Sequence, residues 1–99
     1  MGKPTKAFAA DLEFDYELVA AAETAEVLGI TGAPGDVLHR VVVTDNTGTI
    51  TILDGAVEIL VIPAATIIGT IFEFNMRAVT NWNITTPAST ECLCIGHFT

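Results

Sequence analysis

The sequence predicts an all-β protein, an antiparallel β-sandwich with a jelly-roll-like arrangement of seven or eight short strands. Apolar and polar residues alternate with a period of two at residues 12–18, 49–53 and 70–77, which is typical of half-buried strands. Turn-forming residues separate such segments, most clearly at Asp54-Gly55, because a primed hairpin turn needs a positive φ. No segment shows the 3.6-residue period of a long helix. This pattern favours a sandwich or small barrel and leaves the strand order open.

A single domain, residues 12–99, is expected behind an N-terminal arm, residues 1–11. The first strand spans residues 12–18, and residues 20–22 either extend it or begin a short helical turn. Glycine and proline crowd residues 29–35, which predicts a loop. Further strands are expected at residues 37–44, 49–53, 57–62, 69–77, 82–86 and 91–98, with a hairpin-type connection at 45–48 and turns at 54–55, 80–81 and 87–89.

The composition indicates a protein partner. Apolar residues make up 51% of the 99 residues and charged residues only 16%, against roughly 25% charged in average soluble domains. A domain this small cannot bury so much apolar surface alone, so we expect a partner to cover part of it. The net charge of −8 lacks the basic footprint that binds nucleic acid or anionic membranes. The chain start shows no apolar signal segment. Two cysteines do not make a disulfide framework, which favours synthesis in a reducing cytoplasm.

Acidic residues are concentrated near the start of the chain. Six of them lie in its first quarter: Asp11, Glu13, Asp15, Glu17, Glu23 and Glu26. The first interpretation is a solvated strand face. The alternative is a cation site or a contact with a basic partner.

The last predicted strand is apolar on both faces. One face carries Leu93 and Ile95, and the other carries Cys92, Cys94 and Phe98. Because a strand that is apolar on both faces is covered on both, we expect a neighbouring subunit to cover the second face. Residues 37–43 and 57–62 have the same two-sided character, so subunits are expected to meet at these three strands.

The motif Cys92-x-Cys94-x-x-His97 resembles half of a zinc site, because zinc binds thiolates and imidazoles. Strand parity opposes this interpretation, since the two cysteines share one face and His97 points to the other. Two thiols along one extended strand are also badly placed for a disulfide. We therefore predict buried, unreactive thiols and no metal.

No catalytic residue and no cofactor are predicted. A nucleophilic site needs a histidine with an orienting acid. Asp36 and Asp45 flank the strand of His39, so a histidine–aspartate pair is possible in space, but no local motif supports one. The glycine-rich loop at residues 29–35 lacks the lysine of a phosphate-binding loop. Asp45-Asn46 and Asp54 are explained by turns without calcium. Trp82 and Tyr16 could form a sugar-binding platform, although a single tryptophan in a small domain is usually core or interface.

Several segments resemble a group of small virion proteins of tailed bacteriophages. The first segment is Val27-Leu28-Gly29-Ile30-Thr31-Gly32-Ala33-Pro34-Gly35-Asp36, preceded by Val19-Ala20-Ala21-Ala22-Glu23-Thr24. Later matches are Asp54-Gly55, Trp82-Asn83-Ile84-Thr85-Thr86 and Ile95-Gly96-His97-Phe98-Thr99, so the resemblance covers most of residues 16–99. The chain departs from the group's pattern at residues 80–81 and 87–89. All of these motifs are turns and strands, and none is catalytic.

The resemblance implies a capsid decoration (cement) protein, a non-enzymatic β-sandwich on the capsid surface that binds between major capsid subunits. It implies a homo-oligomer, expected to be a trimer, made in the host cytoplasm. Leu93, Ile95, Phe98 and Trp82 are the residues that we expect at the contact between copies. Lys3, Lys6 and Phe8 of the arm are expected to contact the capsid.

Two alternatives remain. One is a carbohydrate- or receptor-binding module of a phage fibre or tail, which would use Trp82 or Tyr16. The other is a small hydrolase that would use His39 or His97.

Overall fold

The computed structural model describes residues 14–99, which form eight β-strands and no helix. The strands, in chain order, are β1 (Asp15–Val19), β2 (Glu23–Val27), β3 (Val37–Asn46), β4 (Ile50–Asp54), β5 (Val57–Ile62), β6 (Ile71–Arg77), β7 (Trp82–Thr86) and β8 (Thr90–His97). In particular, residues 14–99 contain no helix long and apolar enough to cross a membrane.

The strands form two antiparallel sheets of four. Sheet I has the order β1-β8-β3-β6, and sheet II has the order β2-β7-β4-β5. The all-β sandwich predicted from the sequence is confirmed. Four antiparallel pairs join the first strand to the last, the second to the second-last and so on: β1–β8, β2–β7, β3–β6 and β4–β5. Successive pairs in this series lie alternately in sheet I and sheet II. The narrower jelly-roll assignment stays a prediction.

The core lies between the sheets, where the inward-facing side chains of both layers meet. Its members are Val19, Leu28, Leu38, Val41, Val43, Ile50, Ile52, Ile62, Phe74, Ala78, Trp82, Ile84, Cys92 and Cys94, with Leu60, Phe72 and Phe98 packed at its margin. The Trp82 indole meets Phe74 edge-on at 6.3 Å between ring centroids. Its N–H donates to the Asp36 carbonyl at 3.0 Å, so this large side chain is buried with its polar atom satisfied.

The sequence prediction was right for the hairpin at Asp54-Gly55. Gly55 has a φ of 61° and joins the paired strands β4 and β5. The prediction was wrong for residues 45–48, because β3 and β4 lie in different sheets and this segment crosses between them. The Asn46 amide donates to the Gly48 carbonyl at 2.7 Å, which stabilises the crossing loop without a hairpin.

Strand β2 was missed by the sequence analysis, which expected a continued first strand or a helical turn at residues 20–22. The chain instead turns there and changes sheet, with the N–H of Ala22 donating to the Pro87 carbonyl at 3.0 Å. In β2 the pairing with β7 shifts between Glu23 and Glu26, and Ala25 has a positive φ of 49°. This irregularity removes the two-residue alternation that marks a strand in sequence.

Candidate interaction surface

The side of sheet I that faces away from the core carries two rows of neighbouring side chains. The first row is Leu18, Leu93, Val42 and Ile71, each directly opposite the next across β1, β8, β3 and β6. The second row, two residues along, is Tyr16, Ile95, Arg40 and Glu73. We call these eight residues the outer face. One row is entirely apolar, and the other is half apolar.

The outer face is open to solvent in a single chain. Tyr16 is 75% exposed, Leu18 51% and Ile71 50%, while Leu93, Ile95 and Val42 are half-buried by their neighbours. Isolated exposed apolar residues are ordinary on protein surfaces. A contiguous apolar row across four strands is unusual, and patches of this kind are typical of interaction surfaces.

Strand β1 contributes its apolar side chains to the outer face. Its alternating sequence suggests the opposite, with the apolar side in the core and the acidic side in solvent. Val19 is fully buried opposite Cys92, so parity directs Leu18 and Tyr16 away from the core. The alternating position Glu17 is opposite the buried Cys94, and its carboxylate accepts the N–H of Gly29 at 2.8 Å. The acidic side expected to be the solvated face therefore borders the sandwich interior, and the apolar side faces outward.

An aromatic and basic cluster lies at one end of sheet I. The Phe14 ring stacks on His39 at 4.3 Å between centroids with 10° between planes, and lies 5.0 Å from the His97 ring. Nη2 of Arg40 donates to Nε2 of His39 at 3.1 Å, while Nε of Arg40 is buried without a hydrogen-bond partner among residues 14–99. Within residues 14–99 these contacts join the histidines to an aromatic ring and an arginine.

The residues expected at the contact between copies are separated by the fold. Leu93 and Ile95 lie side by side on the outer face. Phe98 packs at the margin of the core, and Trp82 is only 1% exposed inside it, so Trp82 is not available to a partner. The arm residues Lys3, Lys6 and Phe8, together with Asp11, Leu12 and Glu13, lie outside the described residues.

The cysteine motif has the parity that the sequence analysis expected. Cys92 and Cys94 point into the core with 0% exposure, and their Sγ atoms lie 3.9 Å apart as free thiols. His97 is on the opposite side, next to Phe14. The hydrogen bond with Cys92 and burial raise the pKa of the Cys94 thiol, so the reactive thiolate is disfavoured.

Acidic side chains meet where β1 and β2 approach at one edge of the sandwich. Burial, a hydrogen bond with Glu23 and the charges of Glu23 and Glu17 raise the pKa of the Glu26 carboxyl. No group of metal-ligating side chains is formed within residues 14–99, and no pocket opens on that part of the chain. The neighbouring carboxylates therefore disfavour the charged form of Glu26.

The loop at residues 29–35 holds the segment that ends at Thr99, a contact that the sequence analysis did not foresee. The Thr99 carbonyl oxygen accepts the N–H groups of Ile30, Thr31 and Gly32 at 2.9–3.0 Å. The buried Asp36 carboxylate accepts the Thr99 N–H at 3.0 Å and its hydroxyl at 2.6 Å. Two of the segments that carry the resemblance to phage proteins therefore contact each other in the fold.

A second exposed apolar region lies on the edge strand β5. Val57 is 62% exposed, Val61 41% and Ile59 37%, and Glu58 is the only charged residue of this strand. Edge strands with few charges are prone to pair with other chains. The bulge between Ile52 and Leu53 in the β4–β5 pairing interrupts this edge. Sheet I has register shifts in β3 as well, on either side of the outer face, but the two rows of the outer face are themselves continuous across all four strands.

Comparison with protein-family models, with characterised proteins and with solved structures finds no match for this chain. The likeness to phage virion proteins thus stays a prediction from the sequence motifs.

Proposed function

We propose that this chain is a non-enzymatic structural protein of a tailed-phage virion, a capsid decoration protein on the capsid surface. The observation that carries the proposal is the outer face, an apolar row that crosses all four strands of sheet I. A decoration protein must form protein contacts over a surface rather than bind a small molecule in a cavity. The virion assignment itself rests on the sequence resemblance.

In this proposal, copies associate through Leu93 and Ile95, and the major capsid protein is bound by other surfaces, including the arm residues Lys3, Lys6 and Phe8. Residues 14–99 carry ten acidic residues against two arginines, Arg40 and Arg77. Such a surface is attracted to a basic patch on the capsid and repelled by an acidic one. Association between copies strengthens capsid binding, because linked sites bind with avidity.

Co-sedimentation with phage heads tests the proposal. Heads that lack this protein, from the phage that encodes it, should carry the purified chain into the pellet. Leu93→Asp should reduce the bound fraction through the loss of association between copies, and Ile30→Asp, at a 95% exposed site off the outer face, should not. Absence of the chain from purified particles, together with no binding to heads, would reject the decoration function.

A carbohydrate- or receptor-binding module of a fibre or tail is the second candidate. The 75% exposure of Tyr16 supports it, because an exposed aromatic ring is a platform for a sugar. Trp82 cannot contribute to such a platform, since it is buried. A glycan array should give a signal that Tyr16→Ala abolishes if this candidate is right, and no signal for the wild type would remove it.

A further inference from the structure

The outer face is self-complementary under a two-fold axis that runs along the strands between β8 and β3. Such an axis places β1 over β6 and β8 over β3 of a second copy, so that all four strands are covered. Leu18 then faces Ile71 of the other copy, and Leu93 faces Val42. In the second row Tyr16 faces Glu73, where its hydroxyl can donate to the carboxylate. Every contact occurs twice, as in an isologous interface.

We propose that a second copy of this chain covers the outer face in this two-fold arrangement. The inference rests on the self-association in the proposed function and does not depend on the capsid partner. It replaces the expected trimer with a pair, because three copies around an axis would each place this face against a different surface. Sheets that pack face to face in this way lie about 10 Å apart and cross at about 30°.

Charge favours the outer face over the rest of the surface. Residues 14–99 hold ten acidic residues and two arginines, so most contacts between two copies are repulsive. The outer face contains one residue of each sign, Arg40 and Glu73, and is neutral as a whole. Two copies therefore meet there without the repulsion that opposes other orientations.

The size of the outer face determines the expected strength of the dimer. Four strands about 4.8 Å apart and five residues long at about 3.4 Å each give a face of roughly 300–400 Å². Two such faces bury roughly 600–800 Å², below the roughly 1,200–2,000 Å² of stable specific interfaces. We therefore expect a reversible dimer with a dissociation constant in the micromolar range or above.

A mixing experiment tests the arrangement through Leu18 and Ile71, which face each other only between copies. Within one chain they lie on β1 and β6, the two edges of sheet I, and three strand spacings of about 4.8 Å separate them. Both side chains are about half exposed, at 51% and 50%, so their replacement leaves the core intact. Each single variant, Leu18→Lys or Ile71→Asp, should weaken the dimer at least tenfold by sedimentation velocity.

An equal mixture of the two variants should recover the dimer, because lysine at position 18 of one copy then meets aspartate at position 71 of the other. The remaining Leu18–Ile71 contact is unchanged in that pair. A mixture of Leu18→Asp with Ile71→Asp, which places two acidic side chains opposite each other, is the matched control and should not recover. Recovery supports the arrangement, and failure to recover with folded variants overturns it.

Two further results bear on the inference. Wild-type protein that stays monomeric up to about 1 mM, or that forms a trimer, overturns the two-fold pair while leaving head binding to be judged by co-sedimentation. If either edge variant fails to fold by circular dichroism, Leu93→Asp mixed with Val42→Lys repeats the test at the centre of the face. Recovery in that mixture supports the arrangement, and its absence overturns it.

Discussion

Replacing Asp54 by asparagine removes the charge that stabilises the turn between β6 and β7. The Asp54 side chain is buried at the end of β4, and its carboxylate accepts three backbone N–H groups, from Val79 at 2.8 Å, Thr80 at 2.9 Å and Asn81 at 3.2 Å. The same turn is bonded back to the β4–β5 hairpin, since the Gly55 N–H donates to the Asn81 carbonyl at 2.8 Å. Asp54 thus connects two turns that are distant in sequence.

The stability lost in Asp54→Asn follows from the number of oxygen atoms that can accept a hydrogen bond. Asparagine keeps one acceptor oxygen, which can serve Thr80 and Asn81, and presents an NH₂ group to the Val79 N–H. Hydrogen bonds to charged groups contribute about 1.5–3 kcal/mol each. Water reaches the exposed residues Val79 and Thr80, so we expect a loss of about 2 kcal/mol in the free energy of unfolding. For a domain of this size that lowers the melting temperature by roughly 8–16 °C.

The stability difference between wild type and Asp54→Asn should decrease as the pH falls. Burial raises the pKa of the Asp54 carboxyl, but the hydrogen bonds from Val79, Thr80 and Asn81 outweigh it, so that the pKa lies below its ordinary value. A lowered pKa in the folded state stabilises the protein above the unfolded pKa of about 3.9. That stabilisation is lost as pH falls through the folded pKa. The Asp54→Asn variant lacks this pH-dependent stabilisation, because asparagine does not ionise.

Urea denaturation of wild type and Asp54→Asn between pH 3 and pH 8 measures both effects. The difference in the free energy of unfolding should be constant above about pH 5 and should shrink below about pH 4. Asp15→Asn, at an exposed site of β1, is the matched control for the loss of one negative charge. A difference that is near zero at pH 7, or that grows as the pH falls, would refute the role of the Asp54 carboxylate.

Three other substitutions or treatments have definite expected outcomes. Gly96→Ala should destabilise the protein by about 2–3 kcal/mol, measured by thermal melting, because a Cβ at Gly96 would collide with the Val37 carbonyl oxygen and the Phe98 ring. Native protein at pH 8 should resist a thiol reagent that labels both Cys92 and Cys94 in guanidinium, since both are buried and the pKa of Cys94 is raised; equal labelling rates would contradict this. Glu26→Gln should raise the melting temperature at pH 7, because a raised carboxyl pKa costs stability as pH rises through it, and the gain should vanish below about pH 4.

Local signals in the sequence were sufficient for most strands and for the hairpin at Asp54-Gly55. A two-residue period reports that a strand has two unlike faces. It does not report which face meets the core. In β1 the apolar side of Tyr16 and Leu18 faces outward, because Val19 at the other parity is the residue buried against Cys92. Only the placement of β1 beside β8 decides this orientation.

The connections and long-range contacts were the part that the sequence could not supply. The turn residues at 45–48 fit a hairpin locally, and the partners of β3 and β4, namely β8 and β7, decide that the segment crosses between sheets. The contact of Asp36 with Thr99 joins residues 63 positions apart. In the candidate surface, Leu93 and Ile95 were identified from their own strand, and Val42 lies in the strand at 37–43 that was also expected at a subunit contact. Ile71 and Leu18 join them only through strand register.

Side-chain footprinting with hydroxyl radicals tests most directly whether the outer face is covered in the assembled state. The labelling of Tyr16, Leu18 and Ile71 would be compared between dilute protein and the assembled particle, with Ile30 as the exposed reference off the outer face. We predict strong protection of the three outer-face residues on assembly and unchanged labelling of Ile30. Equal labelling of the outer face in both states, or protection confined to Val57 and Val61 on β5, would contradict the account.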